Sequence, residues 1–293
     1  MSSSLEVNVE GESMPIQNFK LEWMCPNPSI CMIAKRGSGK SWVCRDLLRQ
    51  TKDIPGGLII APTDKMSCFY GKFVPDLYIH YEYQPEVIDK LLYRQDMMIK
   101  KMKEKAEQGK KVDPRSFLLM DDCLSSKGKW MKDQQISTLF FDGRHYKIMF
   151  VLTMQFPLGI TPEFRSNFDY IFLLADDFIS NKKRLHEHYA GMFKKFQVFE
   201  DVFSQITDDF GCMVIANRGA RRSLLEKVFW YKASNIEIKD FGCKQYQKIH
   251  EWNYDVNWRD RENSFADIEA MMTKSIKNKT RFKISKVSGI EHE

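Results

Sequence analysis

The run Ala34-Lys35-Arg36-Gly37-Ser38-Gly39-Lys40-Ser41 lies between an apolar stretch, Ser29 to Ile33, and a helix-like stretch over residues 42–50. Glycines at 37 and 39 let the backbone turn its N–H groups inward. That builds a nest for anionic oxygens at the positive end of the following helix. Lys40 is then placed to reach the outer phosphates of a nucleotide, and the Ser41 hydroxyl to hold Mg²⁺. Against the P-loop pattern GxxxxGK(S/T) the first glycine falls at Ala34, so Gly37-Ser38-Gly39-Lys40-Ser41 must supply the nest, with Arg36 inside the loop. The plain alternative is a flexible glycine turn with an exposed lysine; the flanking strand and helix are the context the motif requires.

Ser116-Phe117-Leu118-Leu119-Met120-Asp121-Asp122 is an apolar run ending in two acids. This is the form of a strand that delivers a carboxylate to the water shell of a nucleotide-bound Mg²⁺ where the chain leaves the sheet. Asp121 is the metal-side acid, and Asp122 is placed to polarise an attacking water. A strand that merely stops at two acids is the alternative, made less apt by the glycine loop upstream. The apolar run over 147–152 ends at Thr153-Met154-Gln155. Ligands of open α/β sheets sit outside the carboxyl ends of the strands, so Gln155 is a candidate sensor that orients water beside the terminal phosphate. A glutamine capping its own loop is the other possibility.

Parallel strands are needed to gather these residues. The order strand, glycine loop, helix, then repeated strand and helix predicts a mostly parallel sheet with helices on both faces. Further strands are expected at 58–61, 77–81, 170–174 and 212–216, with 228–231 at an edge, and helices at 86–107, 130–141, 178–189 and 193–206. Residues 1–12 are polar and read as disordered, and 19–28, with Trp23 and Met24, as a lead-in packed on the core or beside an adenine. Basic residues cluster at 100–111, as a solvated helix end or a DNA-facing patch. They cluster again at 274–286, past a short helix expected at 264–276, as a solubilising tail or an arm for phosphate backbones.

The 293 residues are 43% hydrophobic, enough for a real core, and their net charge of +6 permits nucleic-acid contact without requiring it. Seven widely spaced cysteines with no C-x-x-C pair read as reduced thiols, which argues against disulfides and zinc. The Ser- and Glu-rich start does not read as a signal peptide, and no apolar stretch reaches the length of a membrane span. The expectation is a soluble protein of a reducing compartment.

Three longer runs carry a resemblance: Phe141-Asp142-Gly143-Arg144-His145-Tyr146-Lys147; Thr153-Met154-Gln155-Phe156-Pro157-Leu158-Gly159-Ile160; and Pro162, Arg165-Ser166-Asn167 and Asp169-Tyr170-Ile171-Phe172. Together with the glycine loop and the strand ending at Asp121-Asp122, they resemble the genome-packaging ATPases of large nucleo-cytoplasmic DNA viruses, in the FtsK-HerA division of P-loop motors. The resemblance implies an α/β P-loop NTPase, RecA- and FtsK-HerA-like, with a mostly parallel central sheet flanked by helices. It implies a ring-forming homo-oligomer that hydrolyses ATP with Mg²⁺ and drives double-stranded viral DNA into a capsid, with capsid or portal proteins as partners. It also implies action in the virus factory of the host cytoplasm and presence in the virion. It assigns ATP binding to Gly37, Ser38, Gly39, Lys40 and Ser41, and catalysis to Asp121, Asp122 and Gln155. For the arginine finger, Arg165 ranks first and Arg144 second, with Arg36 able to act in cis; a structural ion pair is the alternative for each. The start at Ala34 and the aspartate at 122, where related motors carry glutamate, depart from the pattern. The expected domains are a flexible N-terminus (1–18), a P-loop ATPase domain (19–234) and a C-terminal extension with a basic arm (235–293). A small-molecule phosphotransferase on the same core and a nucleotide-binding capsid scaffold are the rival functions.

Overall fold

Strands that are apolar along their whole length must be covered on both faces. That requirement organises the fold in a computed structural model describing residues 4–123, 130–219, 223–239 and 241–257. The chain divides into two compact units, residues 1–252 and 253–293, and of the second only 253–257 are described.

In chain order the strands are β1 (Ser4–Val9), β2 (Glu12–Gln17), β3 (Ser29–Ile33), β4 (Gly57–Ile60), β5 (Ile79–His80), β6 (Ser116–Met120), β7 (Ile148–Met154), β8 (Tyr170–Leu174), β9 (Gly211–Ala216) and β10 (Val228–Lys232). The longer helices are α1 (Lys40–Gln50), α2 (Pro85–Glu107), α3 (Gln134–Asp142), α4 (Ile179–Tyr189), α5 (Phe196–Ile206) and α6 (Lys244–Asn253). Eight strands form one sheet in the order β10-β9-β8-β3-β7-β6-β4-β5. From β8 to β5 neighbouring strands are parallel, whereas β9 is antiparallel to β8 and β10 to β9. The parallel sheet with helices on both faces is thus present, with two antiparallel strands closing one side.

Alternation along each strand assigns its side chains to two cores. Cys31, Ile33, Leu118, Met120, Phe150 and Leu152 face one layer, completed by Ile88 and Leu91 of α2, Phe140 of α3 and Phe199, Val202 and Phe203 of α5. Ile30, Met32, Phe117, Leu119 and Val151 face the other, where Val43, Cys44, Leu47 and Leu48 of α1 pack. Each fully buried aliphatic side chain contributes about 1.5–3 kcal/mol, so the two layers hold the strand ends in a fixed relation.

Residues 4–17 form the β1-β2 hairpin, although disorder was expected up to residue 12 and a flexible stretch up to 18. Its two-residue turn, Glu10-Gly11, has both φ angles positive (50° and 89°), the geometry that matches the twist of paired strands. Val7 and Ile16 are fully buried in the core that α5 also lines. The alternation Leu5, Val7, Val9 was present in the sequence, hidden among polar neighbours. Residues 76–78 form a 3₁₀ turn, so the strand expected at 77–81 shrinks to two residues. Phe241 and Tyr246, assigned above to an extension starting at 235, are buried against the α1 face of the sheet. Trp23 is exposed but packs edge-on to Phe19 and Phe229 at the margin of the core. The expected helix at 264–276 and the basic stretch at 274–286 lie outside the described residues.

Candidate active site

β3, β7 and β6 are parallel neighbours, so Ala34, Gln155 and Asp121 emerge from the same edge of the sheet, with Gln155 between the glycine loop and the acids. The Ala34 N–H donates to the Met154 carbonyl at 2.9 Å, tying the loop's start to the end of β7. Ala34 itself is buried in the core, so the departure from the glycine pattern is a methyl group packed beneath the nest. Gly37 (φ 81°) and Gly39 (φ 97°) take left-handed backbone that glycine adopts without a Cβ penalty. Gly39 is the cap of α1, whose first residues are Lys40 and Ser41, so the free N–H groups of the helix start face the turn. The Ser38 hydroxyl closes the turn by donating to the Lys35 carbonyl at 2.7 Å.

Lys40 Nζ stands 3.0 Å from Asp121 Oδ1 and 2.7 Å from Asp122 Oδ2. Burial works against its ammonium most strongly, but the charges of both acids and hydrogen bonds to them outweigh it and raise the lysine above its ordinary pKa. Asp121 is almost fully buried. It accepts from the Tyr70 hydroxyl at 3.0 Å and from the Thr153 hydroxyl. Thr153 accepts in turn from the Asp122 N–H at 3.1 Å, and Gln155 Nε2 donates to Asp122 Oδ2. Glycine loop, acids and sensor are therefore brought together, as expected. Tyr70 and Thr153 complete the cluster without having been singled out. Thr153 lay beside Gln155 at a strand end and was findable; Tyr70 comes from an irregular segment with no periodicity.

A cleft of about 770 Å³ opens over this cluster, within the range of small-molecule sites. Ser41, Asp121 and Asp122 line it together with Thr63, Phe210 and Lys232. A hydroxyl and a carboxylate are the hard oxygen donors that Mg²⁺ takes, and one ammonium against two carboxylates leaves room for more positive charge, so the residues fit that ion. Among the described residues no group of three or more His, Cys, Asp or Glu side chains gathers to hold a metal.

The arginines divide. Arg36 is exposed on the loop and lines the cleft. Arg165 is half-buried; it donates to the Ile160 carbonyl at 3.2 Å and lies 5.9 Å from the centre of the Tyr189 ring. Arg144 sits before β7, at the amino edge of the sheet opposite the glycine loop, paired with the fully buried Asp169, which also receives the Ser29 N–H at 2.9 Å. Within one chain, neither Arg165 nor Arg144 joins the cluster. The basic residues of 100–111 form the mostly exposed end of α2 and the turn after it. No helix among the described residues is long and apolar enough to cross a membrane.

The fold and loop geometry define an α/β P-loop NTPase core. The chain superposes on the genome packaging NTPase B204 of Sulfolobus turreted icosahedral virus 2, solved with AMPPCP, with a TM-score of 0.51 at 14% identity, over 72% of this chain and 100% of that one. No family model matches the sequence. It is 46% identical over 271 residues to the uncharacterized protein L437 of Acanthamoeba polyphaga mimivirus, across 92% of this chain and 95% of that protein. It is 32% identical over 237 residues to the uncharacterized protein 075L of Invertebrate iridescent virus 6, across 78% and 87%. The chain belongs to the family of large-DNA-virus proteins that these two represent.

Proposed function

We propose that this protein is an ATP-hydrolysing motor that moves double-stranded viral DNA into a capsid, acting as a ring in the virus factory of an infected cell. The observation that carries the proposal is Lys40, within 3.0 Å of Asp121 and 2.7 Å of Asp122 at the mouth of the glycine loop. The kinship with large-DNA-virus proteins and the fold shared with a packaging NTPase support DNA as the substrate. In this scheme the loop N–H groups and Lys40 hold the phosphates, with Ser41 and Asp121 holding Mg²⁺, which when bound neutralises charge on the β- and γ-phosphates. Asp122 accepts a proton from the attacking water, and Gln155 orients both. Arg36, on the loop itself, supplies charge to the transferring phosphoryl group. Loss of the γ-phosphate releases Gln155 and the neighbouring loops, and basic surface contacts carry the DNA backbone with them.

The test is steady-state phosphate release by the full chain, with and without long duplex DNA. Stimulation by DNA is the expected result, abolished by Lys40→Ala. Basal hydrolysis indifferent to DNA would point instead to a small-molecule phosphotransferase. No release under any DNA or salt condition would leave a nucleotide-binding scaffold.

A further inference from the structure

A nucleotide seated on Gly37–Ser41 can extend its base in two directions along the carboxyl edge of the sheet. Toward β6 stand Asp121, Asp122 and Gln155, the side where a terminal phosphate reacts. Toward β9 and β10 the edge carries Phe210, Lys232 and Ala233, because β9 starts, and β10 ends, where the parallel strands stop. The base therefore belongs on the β9 side.

Phe210 is built for that position. Its side chain is 63% exposed although large and apolar. Its ring edge lies 3.6 Å from where a Cβ on Gly39 would stand, so it overhangs the start of the phosphate nest. Asp209 (φ 46°) and Phe210 (φ 60°) are both left-handed, a costly conformation for residues with side chains and one that persists only where the surroundings impose it. An ion pair from Lys232 to Asp209, beside the Gly211–Lys232 pairing of β9 and β10, helps hold the turn. The other aromatics of the cleft are occupied: Trp42 has the Arg45 guanidinium 4.0 Å from its ring centre, and Phe69 packs edge-on to Tyr70 and Phe73.

We propose that Phe210 is the stacking platform for the purine base of the bound nucleoside triphosphate, a role that rests on the nucleotide site proposed above. A phenyl face offers no hydrogen bond to the base edge, so it contributes affinity equally to adenine and guanine. Calorimetric titration of the full chain with Mg·ATP, Mg·GTP and magnesium tripolyphosphate, which has no base, tests it. Phe210→Ala is expected to weaken both nucleotides by roughly 5- to 150-fold, the range of base–aromatic stacking, and to leave tripolyphosphate unchanged. Phe210→Tyr restores nucleotide binding, and Lys40→Ala weakens all three ligands. Unchanged ATP affinity in Phe210→Ala, or a parallel loss of tripolyphosphate, overturns the platform while leaving the nucleotide site standing. A wild-type chain that binds none of the three overturns both.

Discussion

At Asp122 the backbone and the carboxylate make separate demands. The residue leaves β6 with φ 57°, a left-handed conformation that aspartate and asparagine tolerate better than other side chains because their short polar groups bond locally. This gives a physical reason for aspartate where the motors that the sequence resembles carry the longer glutamate. Asp122→Asn is therefore a clean test of charge: it keeps the backbone preference and an oxygen for Gln155. In the proposed mechanism its turnover falls by about 10²-fold or more while ATP still binds. Asp122→Ala should lose the same turnover and also about 1–2 kcal/mol of stability for the strained φ. Phosphate release and thermal melting on the two variants separate the effects, and parental turnover in Asp122→Asn would remove the residue from catalysis. Lys40 could be picked out beforehand from the glycine loop that precedes it, and Asp121, Asp122 and Gln155 because each sits just past a strand end. Tyr70 and Phe210 could not, because an irregular segment and a left-handed turn bring them to the cleft and neither has a period to read.

At the scale of elements, α1 matters because the phosphate loop is only as fixed as the helix that starts from it. Apolar contacts seat one face of α1, and Asp46 ties the helix to the end of β10. That nearly buried carboxylate accepts from Ser234 N at 2.9 Å, Ser234 Oγ at 2.8 Å, Arg49 Nε at 2.7 Å and the Tyr231 hydroxyl. Burial alone would raise its pKa, but the bonds from Ser234, Tyr231 and Arg49 prevail and hold it below the ordinary 3.8. A lowered carboxylate stabilises the fold above that value and loses the contribution as pH falls through the folded-state pKa. Asp46→Ala should cost about 2–3 kcal/mol near neutral pH by leaving buried donors unpaired, and Asp46→Asn should flatten part of the stability loss below pH 4. Urea unfolding from pH 3 to 7 measures both, and an acid limb identical in Asp46→Asn and the parent would sink the assignment. Such ties cannot be read from sequence, since Asp46 and Ser234 are distant in the chain. The buried strands could be read, because a wholly apolar run has few other uses. The β1-β2 hairpin was legible only in its alternation and its Glu10-Gly11 turn, each weak beside the surrounding polar residues.

Across the whole molecule, seven thiols report how tightly the sheet and its layers close. All seven are thiols outside any disulfide, but they differ in access. Cys31, Cys44 and Cys212 are fully enclosed, and burial drives their pKa values far above the ordinary 9.0. Cys123 is pushed up to about 12, by burial first and then by the charges of Asp121 and Asp122. Only the thiolate attacks a disulfide reagent, and a thiol of pKa about 12 is ionised to roughly one part in 10⁴ at pH 8. Cys243 is exposed, whereas Cys25 and Cys68 are partly covered, and burial and then Asp169 raise Cys25. Titration with an aromatic disulfide at pH 8 should show one fast thiol, then two slower ones, and the remaining four only as fast as the protein unfolds. Because Cys31, Cys44 and Cys123 lie in or beside the strands and helix that carry the site, loss of this protection should coincide with loss of nucleotide binding as urea is raised. Early reaction of these three in a chain that still binds nucleotide would mean that the site does not depend on the closed layers.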